Sequence, residues 1–168
     1  MVVVTPRLTL RRLTADDGAF MLTLLNEPSF IRNIGDRGVR TIPDAVAYIA
    51  QGPQASYERF GFGLYRVELK ATGAPVGICG LLKRDELPDA DIGFALLPAY
   101  WSQGYALEAA TAVTAYAREV IGLPRLLAIA CPLNDSSIRL LGKLGFRFES
   151  MMRLVPDTHE VKLFTLFW

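Results

Sequence analysis

An apolar run at residues 92–97 halts at Pro98, and a polar turn containing Gly104 separates it from a helical stripe. Apolar side chains recur at Ala109, Val113, Tyr116, Ala117 and Val120, the spacing of a helix face packed on a core. The stripe stops at Gly122 and Pro124, a pair that ends helices. Residues 126–131 form a second, nearly continuous apolar run. Two strands joined by a helix lie parallel in one sheet. This unit commits the chain to an α/β architecture with at least one parallel strand pair. The start of its helix is also the first candidate site. A glycine turn entering a helix leaves backbone N–H groups unpaired, and with the helix dipole they suit an anion such as a pyrophosphate. Gly104 lets a phosphate approach the backbone, and Ala106 is the next smallest choice. No Gly-Lys-Ser/Thr follows, so this is not a nucleotide P-loop. The three-glycine dinucleotide spacing is missing as well.

The remaining segments make the sheet mixed. Residues 7–13 alternate as a strand, and Thr14 caps a helix running to about Asn26, with Asp16 and Asp17 in its first turn. Residues 28–40 read as a loop. Thr41 or Asp44 starts a second helix, with Ala45 and Ile49 on its apolar side. Residues 62–69 and 76–83 are strands joined at Thr72-Gly73, a hairpin signal. Pro88 breaks the chain before the strand that begins at Asp91. Asn134 caps a helix that Gly145 ends, and residues 146–154 and 161–168 close the sheet as an antiparallel pair.

Composition narrows the function classes. The 168 residues fit one domain, and 51% hydrophobic content supplies a full core. A net charge of +1 argues against a broad nucleic-acid footprint. Cys79 and Cys131 each fall in an apolar run and read as buried reduced thiols, with a disulfide or a nucleophile as alternatives. Metal-ligand spacing is absent. The start lacks a basic region and a signal-length apolar run, and no apolar run approaches the about 18 residues of a membrane span. A soluble cytoplasmic protein is the expectation.

Two spaced stretches carry a family resemblance. One runs Ile92-Gly93-Phe94, then Pro98-Ala99-Tyr100-Trp101-Ser102-Gln103-Gly104-Tyr105-Ala106-Leu107-Glu108-Ala109-Ala110. The other begins Asn134-Asp135-Ser136-Ser137 and ends Lys143-Leu144-Gly145-Phe146. With the opening Thr5-Pro6-Arg7-Leu8, they resemble the GNAT acyltransferase superfamily, and closely its RimJ/RimL-like branch. The resemblance covers nearly the whole chain and implies a single N-acetyltransferase domain over residues 1–168. It implies an α/β (α+β) fold: a mixed, mostly antiparallel central sheet with helices on both faces and a splayed parallel strand pair. It also implies acetyl-coenzyme A as co-substrate, with no metal, its pantetheine arm entering between the splayed strands.

The same resemblance assigns residues. Backbone N–H groups of Ser102, Gln103, Gly104, Tyr105 and Ala106 would hold the phosphates, and strand-end groups at Leu96 and Leu97 would pair with the pantetheine arm. Trp101 stands where the superfamily often has Arg or Gln, so backbone amides must do most of the phosphate work. Asn134 is a helix cap or a cofactor contact, two compatible roles. Ser137 matches a serine near the thioester sulfur; its alternative is a first-turn hydroxyl bonded to the helix backbone. Lys143 either keeps its stem on the surface or meets the cofactor's phosphates. Leu141 replaces the tyrosine that many members use as general acid. Asp91 is the base candidate, facing the acceptor through water, with Asp157 and Glu160 as candidates in the last hairpin. His159 reads as a solvated loop residue and Glu108 as structural. The helix–loop–helix after the first strand would line the acceptor site; Asp36, Arg37 and Arg40 otherwise form a solvated turn.

The resulting expectation is an N-acetyltransferase acting on a primary amine, foremost a protein or peptide N-terminal α-amine. A small amine (amino acid, polyamine, drug) and a non-catalytic acyl-CoA-binding module are the alternatives. No partner nucleic acid or membrane is expected, and the chain is a monomer or a homodimer.

Overall fold

A computed structural model describes residues 1–155 and 158–168. Among these residues eight strands form one sheet: β1 (Val3–Val4), β2 (Leu8–Arg12), β3 (Leu64–Leu69), β4 (Pro75–Leu82), β5 (Asp91–Leu96), β6 (Arg125–Ala130), β7 (Arg147–Met152) and β8 (Val161–Phe167). Their order is β1-β2-β3-β4-β5-β6-β8-β7. Among the described residues only β5 and β6 run parallel; every other neighbouring pair is antiparallel. The parallel pair is in register only at Asp91–Leu127 and Ile92–Ala128. Beyond Ile92 the two strands separate, leaving a gap that opens towards the C-terminal end of β5.

Among the described residues six α-helices cover the two faces: α1 (Gly18–Leu25), α2 (Pro28–Asn33), α3 (Ile42–Ile49), α4 (Ala55–Phe60), α5 (Tyr105–Tyr116) and α6 (Asp135–Lys143). Each face has its own core, because side chains alternate along a strand. On one face Leu8, Leu10, Val67, Val76 and Ile92 pack against Ala109, Ala110 and Val113 of α5. Small residues at the first two of those α5 positions let the helix backbone lie close to the sheet. On the other face Leu13, Leu64 and Ile78 pack against Met21, Leu24 and Leu25 of α1, Phe30 of α2, and Ala45 and Ile49 of α3.

The helical cover on this second face is pinned at its start. Thr14 and Asp17 form a reciprocal capping box around a 3-10 turn, Ala15–Asp17, that leads into α1. Asp17 is buried and accepts from Arg11 of β2 at 2.8 Å and from Arg66 of β3 at 2.8 Å. Burial, the largest single influence, raises its pKa, but the hydrogen bonds from Arg11 and the Thr14 N–H together with the Arg11 and Arg66 charges outweigh it and hold the carboxyl below its usual value. Thr41 and Asp44 form a second capping box at α3.

Three features differ from the sequence expectation. Residues 28–40 are not all loop: Pro28 opens α2 and Phe30 is buried. Pro at the first helical turn, where its missing N–H is not needed, is a start signal as well as a breaker. The helix at 105–121 widens into a π-type turn at Ala117–Ile121 before Gly122 ends it in the left-handed region. A two-residue strand, Val3–Val4, precedes the first expected strand.

Candidate active site

The N-terminus of α5 lies beyond the open end of the strand gap. No side chain caps it: Gly104 occupies the cap position with φ 81°, and Ser102, two residues earlier, also has positive φ, 59°. Among the described residues, the backbone N–H groups of Ser102, Gln103, Gly104, Tyr105 and Ala106 have no protein acceptor. Five donors at the positive end of a twelve-residue helix fit an anionic pyrophosphate.

The strand end before this loop is divided in its roles. Leu97 donates its N–H to Val76 at 2.9 Å and accepts from Tyr100 at 3.0 Å, so both its backbone groups are engaged. Hydrogen-bond direction alternates along an antiparallel strand, which turns the Leu96 backbone away from β4 and towards the gap. The Trp101 indole N–H donates to the Leu96 carbonyl at 2.9 Å. Of the two positions expected to meet a pantetheine arm, Leu96 therefore keeps an N–H facing the gap.

Across the gap, β6 leads into α6. Asn134 caps α6 by accepting from the Ser137 N–H at 3.2 Å, and its Nδ2 donates to Ser137 Oγ at 2.9 Å. With its oxygen accepting from Asn134, the Ser137 hydroxyl proton is left for another acceptor. Leu141, one turn further, is buried in the core. Lys143 is exposed in the last turn of α6, about 13 Å along the axis from Asn134.

Asp91 heads β5 at the point where the parallel strands are still paired. It shares a strand face with Ala95 and Leu97, which pack on the α1–α3 side. Its side chain is 0% exposed, and both carboxylate oxygens accept from Arg84 Nε, at 3.2 and 3.1 Å. Burial pushes its pKa up to about 6, against the opposing pull of the Arg84 charge. A cavity of about 480 Å³, lined by Tyr48, Arg59, Leu82 and Lys83 among others, reaches the β4 residue paired with Asp91. A cavity of about 650 Å³ lies elsewhere, beside Met1, Arg12 and Tyr116.

The other candidates separate from this centre. Glu160 is exposed and 4.0 Å from Arg153, and His159 is exposed; Asp157 lies outside the described residues. Asp36 and Arg40 pair at the surface at 2.6 Å. Cys79 and Cys131 are free thiols. Burial pushes the Cys79 thiol up to about 12, leaving it inert, while Cys131 is only partly buried. Glu108 accepts from the Thr5 hydroxyl at 2.6 Å and from Arg7 Nε at 2.7 Å. That ties the first turn of α5 to the chain entering β2, a connection with no signature in local sequence pattern.

A family model described as "Acetyltransferase (GNAT) domain" matches residues 7–147. The chain belongs to this family. It is similar to the N-acetyltransferase YoaA of Bacillus subtilis (strain 168), itself described as uncharacterised, at 28% identity over 90% of this chain and 86% of YoaA. Its structure is similar to that of the acetyltransferase from Agrobacterium tumefaciens strain C58, with TM-score 0.84, 25% identity, and coverage of 99% and 94% of the two chains. The fold also matches RimL, the ribosomal L7/L12 alpha-N-protein acetyltransferase in complex with coenzyme A, with TM-score 0.83, 18% identity, and coverage of 99% and 97%. This GNAT chain is an acyltransferase that uses acetyl-CoA. Among its described residues, no helix is long and apolar enough to cross a membrane.

Proposed function

We propose that this GNAT domain, spanning residues 1–168, acetylates the α-amine of a protein or peptide N-terminus, as the RimJ/RimL-like branch does. The observation that carries the reading is Asp91: an enclosed carboxylate raised to about pKa 6, on the face covered by α1–α3. A peptide α-ammonium has a pKa of about 7.7–8.0, and moving its proton to such a base is uphill by about 2 units, roughly 3 kcal/mol. A lysine-type ammonium near pKa 10.4 makes the same step about 6 kcal/mol uphill. A base of this strength serves the α-amine. The cleft beside Leu82 then receives the acceptor, and water relays its proton to Asp91.

On the opposite side of the gap, Ser137 assists the leaving group in this reading. Backbone amides of 102–106 hold the phosphates, Leu96 pairs with the pantetheine arm, and Asn134 and Lys143 contact the cofactor from α6. The amine nitrogen bonds to the acetyl carbon, the C–S bond breaks, and the Ser137 O–H donates a hydrogen bond to the departing thiolate. Ser137→Ala should lower kcat by roughly 10- to 100-fold with coenzyme A affinity nearly unchanged. Full turnover in that variant, or equal loss of affinity and turnover, would make the serine a cap or binding group.

The acceptor is tested at pH 7 with peptides carrying free or blocked α-amines, each with and without a lysine. Acetylation should follow the free α-amine regardless of the lysine. Product that follows the lysine and ignores the block, or a preference for a polyamine over every peptide, overturns the reading.

A further inference from the structure

Arg7 sits just before β2, yet it is fastened to the start of α5. Its backbone N–H donates to Glu108 Oε1 at 2.9 Å, its Nε to Glu108 Oε2 at 2.7 Å, and its Nη1 to the Gln103 carbonyl at 2.9 Å. The guanidinium lies 4.4 Å over the Tyr105 ring. Glu108 is itself held by the Thr5 hydroxyl at 2.6 Å. Burial would raise the Glu108 pKa, but the hydrogen bonds from Thr5 and Arg7 outweigh it and keep the group ionised below its usual value.

These contacts use the Nε edge and one Nη1 donor. The Nη2 nitrogen lies over Gly104, 3.2 Å from where a Cβ on that residue would stand. Among the described residues it has no protein acceptor, and the side chain is 46% exposed. With Nε and Nη1 both engaged, the rigid guanidinium holds its Nη2 amino group as a preset charged donor, of the kind that binds a phosphate oxygen. That nitrogen sits beside Gly104, within the stretch 102–106 whose N–H groups are free. The loop's own side chain at 101 is no substitute, since the Trp101 indole is turned back to the Leu96 carbonyl.

We propose that Arg7 is a direct ligand of the cofactor's pyrophosphate, a cation delivered from the entry to β2 instead of from the loop. The inference rests on acetyl-CoA binding at the α5 N-terminus. It predicts that Arg7 acts on the phosphates and not on the thioester.

The test compares wild type, Arg7→Gln and Arg7→Lys with two probes. One is coenzyme A, titrated by calorimetry at two salt concentrations. The other is S-acetylpantetheine, a thioester donor without phosphates. Loss of a charge-assisted contact should weaken coenzyme A binding in Arg7→Gln by about 10- to 100-fold and flatten its salt dependence. KM for acetyl-CoA should rise while kcat stays within about threefold. Arg7→Lys should recover part of the affinity, and turnover of S-acetylpantetheine should match wild type within about twofold in both variants. Unchanged coenzyme A affinity, or equal loss with both donors, overturns the proposal. If Arg7→Gln shows no thermal unfolding transition, Arg7→Lys carries the same comparison: weaker coenzyme A with unchanged S-acetylpantetheine supports it, and equal loss overturns it. Wild type that fails to bind coenzyme A at all overturns the underlying acetyl-CoA reading, an outcome separate from either variant result.

Discussion

Gly104→Val is expected to weaken coenzyme A binding by about a hundredfold or more, a loss of roughly 3 kcal/mol. Gly104 has φ 81° and ψ 3°, a conformation in which a β-branched side chain is an outlier. Its Cβ would stand 3.2 Å from Arg7 Nη2, at the start of the helix whose first N–H groups are free. The substitution therefore strains the loop and fills the space through which an anion reaches the backbone. Strain alone would cost the fold about 1–3 kcal/mol, so the comparison needs a matched control. Gly122 supplies it. It ends the same helical run with φ 76° and nothing within 4 Å of its Cβ position. Gly122→Val should lose similar thermal stability and keep coenzyme A affinity within about twofold. Equal binding by folded Gly104→Val, or equal loss in both variants, would remove the helix start from the cofactor site.

Local pattern revealed most of this scaffold because each signal has a local physical cause. The apolar run before Pro98, the stripe from Ala109 to Val120 and the stop at Gly122 fix a strand, a helix and its end within one stretch of chain. The parallel pairing of β5 and β6 follows from that connection. The cap at Thr14 was legible for the same reason, and the second start, open between Thr41 and Asp44, is Thr41, with Asp44 closing a reciprocal box that the sequence reading did not name. What pattern missed was short or non-local. Helix α2 has six residues, too few for a periodic stripe, and it forms because Phe30 buries against the α1–α3 core. A π-type turn at Ala117–Ile121 preserves the apolar periodicity closely enough to look like uninterrupted helix. The Thr5–Arg7–Glu108 cluster joins residues about a hundred positions apart, which neither spacing nor composition encodes. The enclosure of Asp91 likewise depends on the strands on both its sides. Its candidacy came from the family resemblance at that strand start, and the burial that sets its chemistry was not legible.

Asp91→Asn is expected to cut kcat/KM by about a hundredfold or more, within the range for loss of a general base, without destabilising the protein at neutral pH. The stability half of that expectation follows from the direction of the pKa shift. The carboxyl titrates near 3.8 when exposed and at about 6 in the fold, chiefly because burial disfavours the charge. The folded state therefore holds the proton more tightly, and wild type loses stability as pH rises from about 4 through 6, by roughly 3 kcal/mol in all. Asparagine never ionises and escapes that loss. Arg84 is 26% exposed, so its guanidinium turns to water when its partner is neutral instead of remaining as a sealed, unpaired charge. Denaturant titrations should thus find the two proteins alike at pH 4 and Asp91→Asn equal or more stable at pH 7.5. The activity half adds a second signature. With a peptide α-amine as acceptor, log kcat/KM should rise through two limbs, one near 6 from Asp91 and one near 7.7–8.0 from the amine itself. Asp91→Asn should abolish the lower limb and keep the upper. A carboxylate that lowers stability when charged, yet is needed for rate, is the arrangement of a working base held ready in an apolar site. If the variant instead loses about 3–5 kcal/mol at pH 7.5 while retaining its turnover, the Arg84–Asp91 pair is a structural clasp, and the proton must leave the amine by another route.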